Sequence, residues 1–428
     1  MRRSDNWNLR YQGRLPAQEG LREALCTLGN GYVATRGASE ESGANGVHYP
    51  GTYIGGGYDR AVSHVAGSAV ENEDLVNWPN WLVLKLKTGE QWLTPESADI
   101  LDYRQDLDML RGVLNRTVRY RDAQGNETSI ISRRVVHIEQ PHRAAIQWRI
   151  IPHNWSGEAT LQSALDGRVS NSGVERYRSL NSIHLTPLDT GFDPPDILWL
   201  LVQTLQSDIR MAQACRTRVF AGTRRVKART REQQYPGHVT QDLRFPVEQG
   251  EEYVVEKIVG LYTSRDSAIS NPLGEARDSV REAPRFEALL RSHVDTWSRI
   301  WRRCDMEING GEGQTQLIVR LHIFHLMQVA TKNIMEMDVG VPSRGLHGEA
   351  YRGHILWDEL FILPFLNYRI PELTRQFLMY RYRRLPRARD AAAREGYRGA
   401  MFPWQSGSNG REESQQVHLN PRSGRWVP

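Results

Sequence analysis

One change of period governs what this chain can fold into. Up to about residue 270 the apolar residues alternate, as in strands with one buried face. After Ser267 they recur every three or four residues, as in amphipathic helices. In residues 117–121, Val118 and Tyr120 share one face and Arg119 and Arg121 the other. Asp122-Ala123-Gln124-Gly125-Asn126 then supplies turn residues and residues 128–138 return, which predicts a hairpin. Residues 81–87, 144–151, 197–203 and 253–259 read as further strands, and 224–231 as the solvent face of another. Many strands with few helices between them predict a large antiparallel sandwich, not βαβ units.

Pro272-Leu273-Gly274 breaks the chain. Residues 275–304 then carry Phe286, Leu289, Leu290, Val294, Trp297, Ile300 and Trp301 at helical spacing. After Asn309-Gly310-Gly311-Glu312-Gly313, residues 314–330 predict a helix apolar and buried nearly all round. Residues 359–366 and 372–385 predict two more, the second starting at Pro371, and Gly396 ends a further helical stretch. The division is therefore a β domain over 1–270, a helical linker over 271–312 and an α part over 313–428.

Composition removes several function classes. Hydrophobic residues are 39% of the 428, and no run approaches the ~18 apolar residues of a membrane helix. The first residues lack the apolar core of a secretory signal, so the predicted compartment is the cytoplasm and no membrane partner is expected. Cys26, Cys215 and Cys304 are too few and too scattered for a disulfide framework or a paired-cysteine metal site. The net charge of +5 includes arginine clusters at 224–231 and 381–389. Neither has an aromatic platform or a glycine-rich recognition motif, which argues against nucleic acid. His347 and His354 lack the i, i+4 spacing of a helical metal pair, so no metal is assigned.

Three segments of the α part concentrate polar and aromatic residues: 345–359, 399–407 and 410–415. Asp358 precedes an apolar run and has two readings: a helix N-cap, or a carboxylate that accepts from sugar hydroxyls beside the Trp357 ring. Trp357 and Trp404 are either core residues or sugar platforms. Adjacent helical residues diverge by about 100°, so neither Asp358 with Glu359 nor Glu412 with Glu413 forms an acid/base pair. Gly55-Gly56-Gly57 lacks the Lys-Ser/Thr of a phosphate loop and reads as a turn.

The run Arg352-Gly353-His354-Ile355-Leu356-Trp357-Asp358-Glu359, followed by Met401-Phe402-Pro403-Trp404-Gln405-Ser406-Gly407, resembles glycoside hydrolase family 65. That family contains maltose, trehalose and kojibiose phosphorylases and some acid trehalases. Leu28-Gly29-Asn30-Gly31-Tyr32-Val33-Ala34-Thr35-Arg36-Gly37, Pro50-Gly51-Thr52-Tyr53 and Asn77-Trp78-Pro79-Asn80 are similar to its N-terminal motifs. The resemblance implies an N-terminal β super-sandwich, a helical linker and an (α/α)6 catalytic barrel. It implies that Trp357 and Asp358 hold the non-reducing glucose and that Trp404 is a second residue at that site. It implies inverting phosphorolysis of an α-glucosyl disaccharide to β-glucose 1-phosphate, with inorganic phosphate as co-substrate, no cofactor, and a homodimer.

The family's general acid is a Glu in an Asn/Asp-Glu-Tyr motif, which these residues lack, so no catalytic residue is assigned. A six-hairpin barrel needs about 240 residues at about 40 per hairpin. Residues 313–428 hold about three hairpins on that count, so the acid is expected beyond the end of this chain, within a truncated barrel. Inverting hydrolysis by a water-activating carboxylate, and a sugar-binding fragment without catalysis, stay open beside phosphorolysis.

Overall fold

The computed structural model describes residues 5–65, 68–309, 313–414, 418–420, 422–423 and 425–427. The predicted hairpin is present as Val113–Arg121 and Glu127–Val136, antiparallel, with Val118 opposite Ile130 and Arg121 opposite Glu127. It lies inside a ten-stranded antiparallel sheet. From one edge the order is Asn8–Gln12, Asp99–Asp108, the hairpin, Arg143–Pro152, Tyr253–Thr263, Arg210–Ala221, Ile197–Thr204 and Leu185–Asp193, with the short Arg224–Arg225 on Arg210–Ala221. A five-stranded sheet packs against it in the order Arg229–Tyr235, His238–Val247, Gly157–Asp166, Leu84–Thr88, Gln91–Leu93.

Alternation explains the interior. Val118, Ile130 and Trp148 of the large sheet meet Leu86, Leu161 and Phe245 of the small one in a single apolar cluster. Lys257 is enclosed there. Its Nζ donates to the Val83 and Ala164 carbonyls at 3.0 and 2.8 Å, and burial pulls its pKa down to about 8.

Several expectations need correction, among them the strand predicted at 224–231, which is split between Arg224–Arg225 of the large sheet and Arg229–Tyr235 of the small one. The strand predicted at 81–87 begins only at Leu84, because the Asn80 side chain accepts from Leu82 N at 3.0 Å and turns the chain. The helix predicted at 275–304 is two helices. With α1 at Pro16–Leu25, they are α2 (Pro272–Glu282) and α3 (Phe286–Cys304), separated at Pro284, which has no amide to donate. The helix predicted at 359–366 is a 3-10 turn, Trp357–Phe361, followed by α5 (Leu363–Arg369).

Helix α4 runs Gly313–Val329, but Ile318 is 45% exposed, so it is not covered all round. The next helices, α6 (Pro371–Arg383) and α7 (Leu385–Arg394), match expectation. Gly396 follows α7 at φ +78, a left-handed stop that glycine adopts without a Cβ clash.

Helix α3 joins the two halves. Its Trp297 and Trp301 belong to the sandwich core cluster, and Trp301 Nε1 donates to Met109 O at 2.8 Å. Trp297 stacks on Phe324 of α4 at 4.8 Å. Among the elements that the sequence pattern does not show are α1 and the Tyr58–Val65/Ser68–Leu75 hairpin, whose charged residues on both faces mask its period. Among the described residues no helix is long and apolar enough to cross a membrane.

Candidate active site

A short antiparallel pairing brings two of the polar-aromatic segments together: Ile355 faces Ser406 and Leu356 faces Gln405. Trp357 follows one strand and Trp404 precedes the other, so their indoles meet at 5.5 Å and 45°. They are 44% and 59% exposed, which removes the core reading for both. Phe361, missed in the sequence because its apolar run reads as helix core, packs edge-on against Trp357 at 5.3 Å.

Asp358 is not a helix cap. The 3-10 turn starts at Trp357, its N-cap is Leu356, and no side-chain cap bond forms. The Asp358 Oδ1 atom is instead buried with no hydrogen-bond partner in the protein. An unpaired buried carboxylate oxygen costs free energy until a donor reaches it. Together the three residues present two partly open rings and one acceptor, a suitable arrangement for a polyol.

The loop before this pair is backbone-strained. Tyr351, Arg352 and Gly353 are all left-handed, at φ +53, +56 and +66. Each non-glycine residue there costs about 1–3 kcal/mol, and such strain persists only where the surroundings over-determine it. Arg352 Nη1 meets Asp74 at 2.6 Å, and its guanidinium lies over the Tyr177 ring at 4.5 Å. A Cβ on Gly353 would come within 2.4 Å of the Leu75 Cβ.

The N-terminal motifs support this loop from below. Tyr53 donates to Glu349 Oε1 at 3.0 Å, Tyr49 donates to the same oxygen, and Gly173 N donates to Oε2 at 2.8 Å. Burial pushes the Glu349 carboxyl above its ordinary range. The Asn77 side chain accepts from Thr52 N at 3.1 Å and donates to Tyr49 Oη at 3.1 Å. Asn30 is satisfied on both ends: it donates to His137 O and accepts from Val33 N, each at 2.9 Å. Arg36 donates to His347 O at 2.8 Å. These motifs are joints between the halves of the chain.

The other glutamates of the three polar-aromatic segments have partners. Glu359 accepts from Val341 N at 2.9 Å and pairs with Arg381 at 3.0 Å, and burial raises its pKa against that arginine. Glu412 accepts from Trp404 N at 2.7 Å, and Glu413 meets Arg60 at 2.6 Å. The ring of His347 packs on His325 at 4.3 Å, whereas His354 lies under the strand pair. Among the described residues no group of three or more His, Cys, Asp or Glu could hold a metal.

Residues 9–300 match the family model for the N-terminal domain of glycosyl hydrolase family 65, and residues 320–428 match that family's central catalytic domain. An uncharacterized glycosyl hydrolase of Mycobacterium tuberculosis is 44% identical over 99% of this chain and 32% of that protein. The trehalose 6-phosphate phosphorylase of Lactococcus lactis is 31% identical over 99% of this chain and 53% of its own length. A kojibiose phosphorylase of Caldanaerobacter subterraneus is 33% identical over 92% of this chain and 50% of its own. The chain thus spans between a third and about half of these relatives. The fold also matches the solved "Putative kojibiose phosphorylase from human microbiome", with a TM-score of 0.84, 20% identity, and coverage of 96% of this chain and 53% of that one.

Proposed function

From the premise that this chain belongs to glycosyl hydrolase family 65, we propose that the whole protein splits an α-glucosyl disaccharide with phosphate and releases β-glucose 1-phosphate with inversion. The relatives named as kojibiose and trehalose 6-phosphate phosphorylases support this reading. The observation that carries it is the unpartnered Asp358 Oδ1 beside the exposed Trp357 and Trp404 rings. Glucose hydroxyls donate to that oxygen, in bonds worth about 1.5–3 kcal/mol when the acceptor is charged. The two indoles cover the sugar's apolar face.

In such a reaction one carboxylic acid protonates the leaving oxygen while phosphate attacks from the opposite face of the ring. Phosphate is already anionic and needs no general base. The proton donor is none of Glu349, Glu359, Glu412 and Glu413, since each is held by the contacts above. Residues 1–270 form the supporting sandwich, 271–312 the linker, and 313–428 the first part of an (α/α)6 barrel. The protein acts in the cytoplasm, as a homodimer.

The test is an assay of the whole protein on kojibiose, trehalose, trehalose 6-phosphate and maltose, with and without phosphate, followed by phosphorus NMR. Phosphate-dependent appearance of the β anomer is the expected result. Glucose released at the same rate without phosphate replaces phosphorolysis with hydrolysis, and the α anomer overturns inversion.

A further inference from the structure

The strand pair that carries Trp357 and Trp404 is two residues long on each side, too short to hold its own register. Something else must fix it, and both of its strands are tied to one residue of the N-terminal domain, on a two-stranded hairpin separate from the two large sheets. Glu73 lies on the Ser68–Leu75 strand and is 3% exposed. Its backbone carbonyl accepts from His354 Nε2 at 2.7 Å, just before Ile355. Its side chain accepts from Ser408 N at 3.0 Å and from the Ser408 hydroxyl, just after Ser406. Arg60 of the same hairpin lies 3.3 Å from the Glu73 carboxylate and 2.6 Å from that of Glu413, so one guanidinium serves both.

The fit between the two is close. A Cβ on Gly407 would lie 2.0 Å from Glu73 Oε2, so only glycine lets the backbone approach the carboxylate. From the other side, Tyr380 of α6 donates to Gly407 O at 2.7 Å. The segment is held between the hairpin and α6.

We propose that Glu73 is a positioning residue that sets the spacing of Trp357 and Trp404, so that a hairpin of the N-terminal domain shapes the sugar platform of the α part. The functional meaning rests on the phosphorylase reading. The spacing itself does not, and it is read without sugar.

The experiment uses the 428-residue chain and ultraviolet circular dichroism. The wild-type spectrum minus that of Trp404→Phe isolates the coupling between the two indoles, and it is compared among Glu73→Ala, Ser408→Ala and Gly407→Ala. Val62→Ala, an exposed change on the same hairpin, is the control. The expected result is loss of the coupling signal in Glu73→Ala and Gly407→Ala, weakening in Ser408→Ala, and retention in Val62→Ala. Adding Glu73→Ala to Gly407→Ala relieves the clash and does not deepen the loss.

Should Glu73→Ala fail to fold, Gly407→Ala and Ser408→Ala carry the test. Full coupling in the folded position-73 and position-407 variants overturns the proposal, as does a Trp404→Phe spectrum identical to wild type. A glucose titration of the same proteins separates the two ideas. No sugar binding by wild type, with coupling that follows Glu73, removes the sugar reading and leaves the positioning role intact.

Discussion

Trp357 and Trp404 stand 5.5 Å apart at an interplanar angle of 45°, although helices α5, α6 and α7 lie between them in the chain. The two-residue strand pair next to them makes this possible, and it leaves both rings open to solvent. If they form a sugar platform, Trp404→Ala should weaken glucose binding by about 0.5–1.5 kcal/mol. Leu378→Ala, at an exposed position on α6, should leave binding unchanged. Calorimetric titration of both variants checks this, and equal affinity in the two contradicts the platform.

The 428-residue chain by itself should not turn over α-linked glucose disaccharides. General acid catalysis is worth about 10²–10⁴-fold, and the four candidate carboxylates are engaged elsewhere. Leu360, Phe361, Met401 and Phe402 are exposed around the rings, so the chain should also bind a hydrophobic dye. Clear turnover by a pure preparation that is lost in one of the Glu349, Glu359, Glu412 or Glu413 to Gln variants would identify the acid and contradict this account.

The sandwich holds a buried charge cluster whose disruption should be costly. Arg134 Nε donates to Glu40 Oε1 at 3.1 Å, and Arg116 meets Glu41 at 2.6 Å. Burial would raise the Glu40 carboxyl, but the Arg134 and Arg116 guanidiniums override it and hold it down at about 2. Arg134→Met leaves Arg116 alone against two buried carboxylates, Glu40 and Glu41, and should cost about 3–5 kcal/mol in urea unfolding. Combining it with Glu40→Gln should recover part of the loss. A cost below about 1 kcal/mol for the single variant would show the pair to be dispensable.

Acid should loosen the joint between the sandwich and α3. His293 Nδ1 accepts from Ile138 N at 3.1 Å, and its Nε2 donates to Gly112 O at 3.0 Å, an arrangement that fits only the neutral ring. His137 Nδ1 accepts from Gln140 N at 3.1 Å. Burial lowers the two pKa values to about 3 and about 4, from 6.5. The folded values are depressed, so their contribution is complete above pH 6.5 and is lost as pH falls toward 4. Each ring then removes about 1.4 kcal/mol per pH unit. Urea midpoints between pH 7.5 and 5 should fall, less steeply in His293→Gln, whose amide reproduces both neutral contacts. A flat profile contradicts the assignment.

The legible parts of this molecule were those with one apolar and one polar face. The Val113–Arg121/Glu127–Val136 hairpin and helix α6 follow directly from period and turn residues. The Tyr58–Leu75 hairpin did not, because Arg60, Glu73 and Asp74 serve contacts with the distant 352–413 region and break its alternation. Asp358 was recognisable as a carboxylate beside a tryptophan. That it does not cap a helix was not, because the register of the 3-10 turn is set by the pairing of Leu356 with Gln405. The roles of Asn30 and Tyr53 as joints were equally hidden, since their partners, Thr331 with Asn333 and Glu349, lie some 300 positions away.

Asp358 carries the central claim, and its freedom from any capping duty makes it easy to test. Glucose is titrated calorimetrically into the chain and into Asp358→Asn and Asp358→Ala, with thermal melting measured in parallel. Both variants should melt no lower than wild type, and each should lose about 1.5–3 kcal/mol of binding, at least a tenfold fall in affinity. Wild-type glucose affinity in Asp358→Asn, in a protein that melts normally, would contradict it.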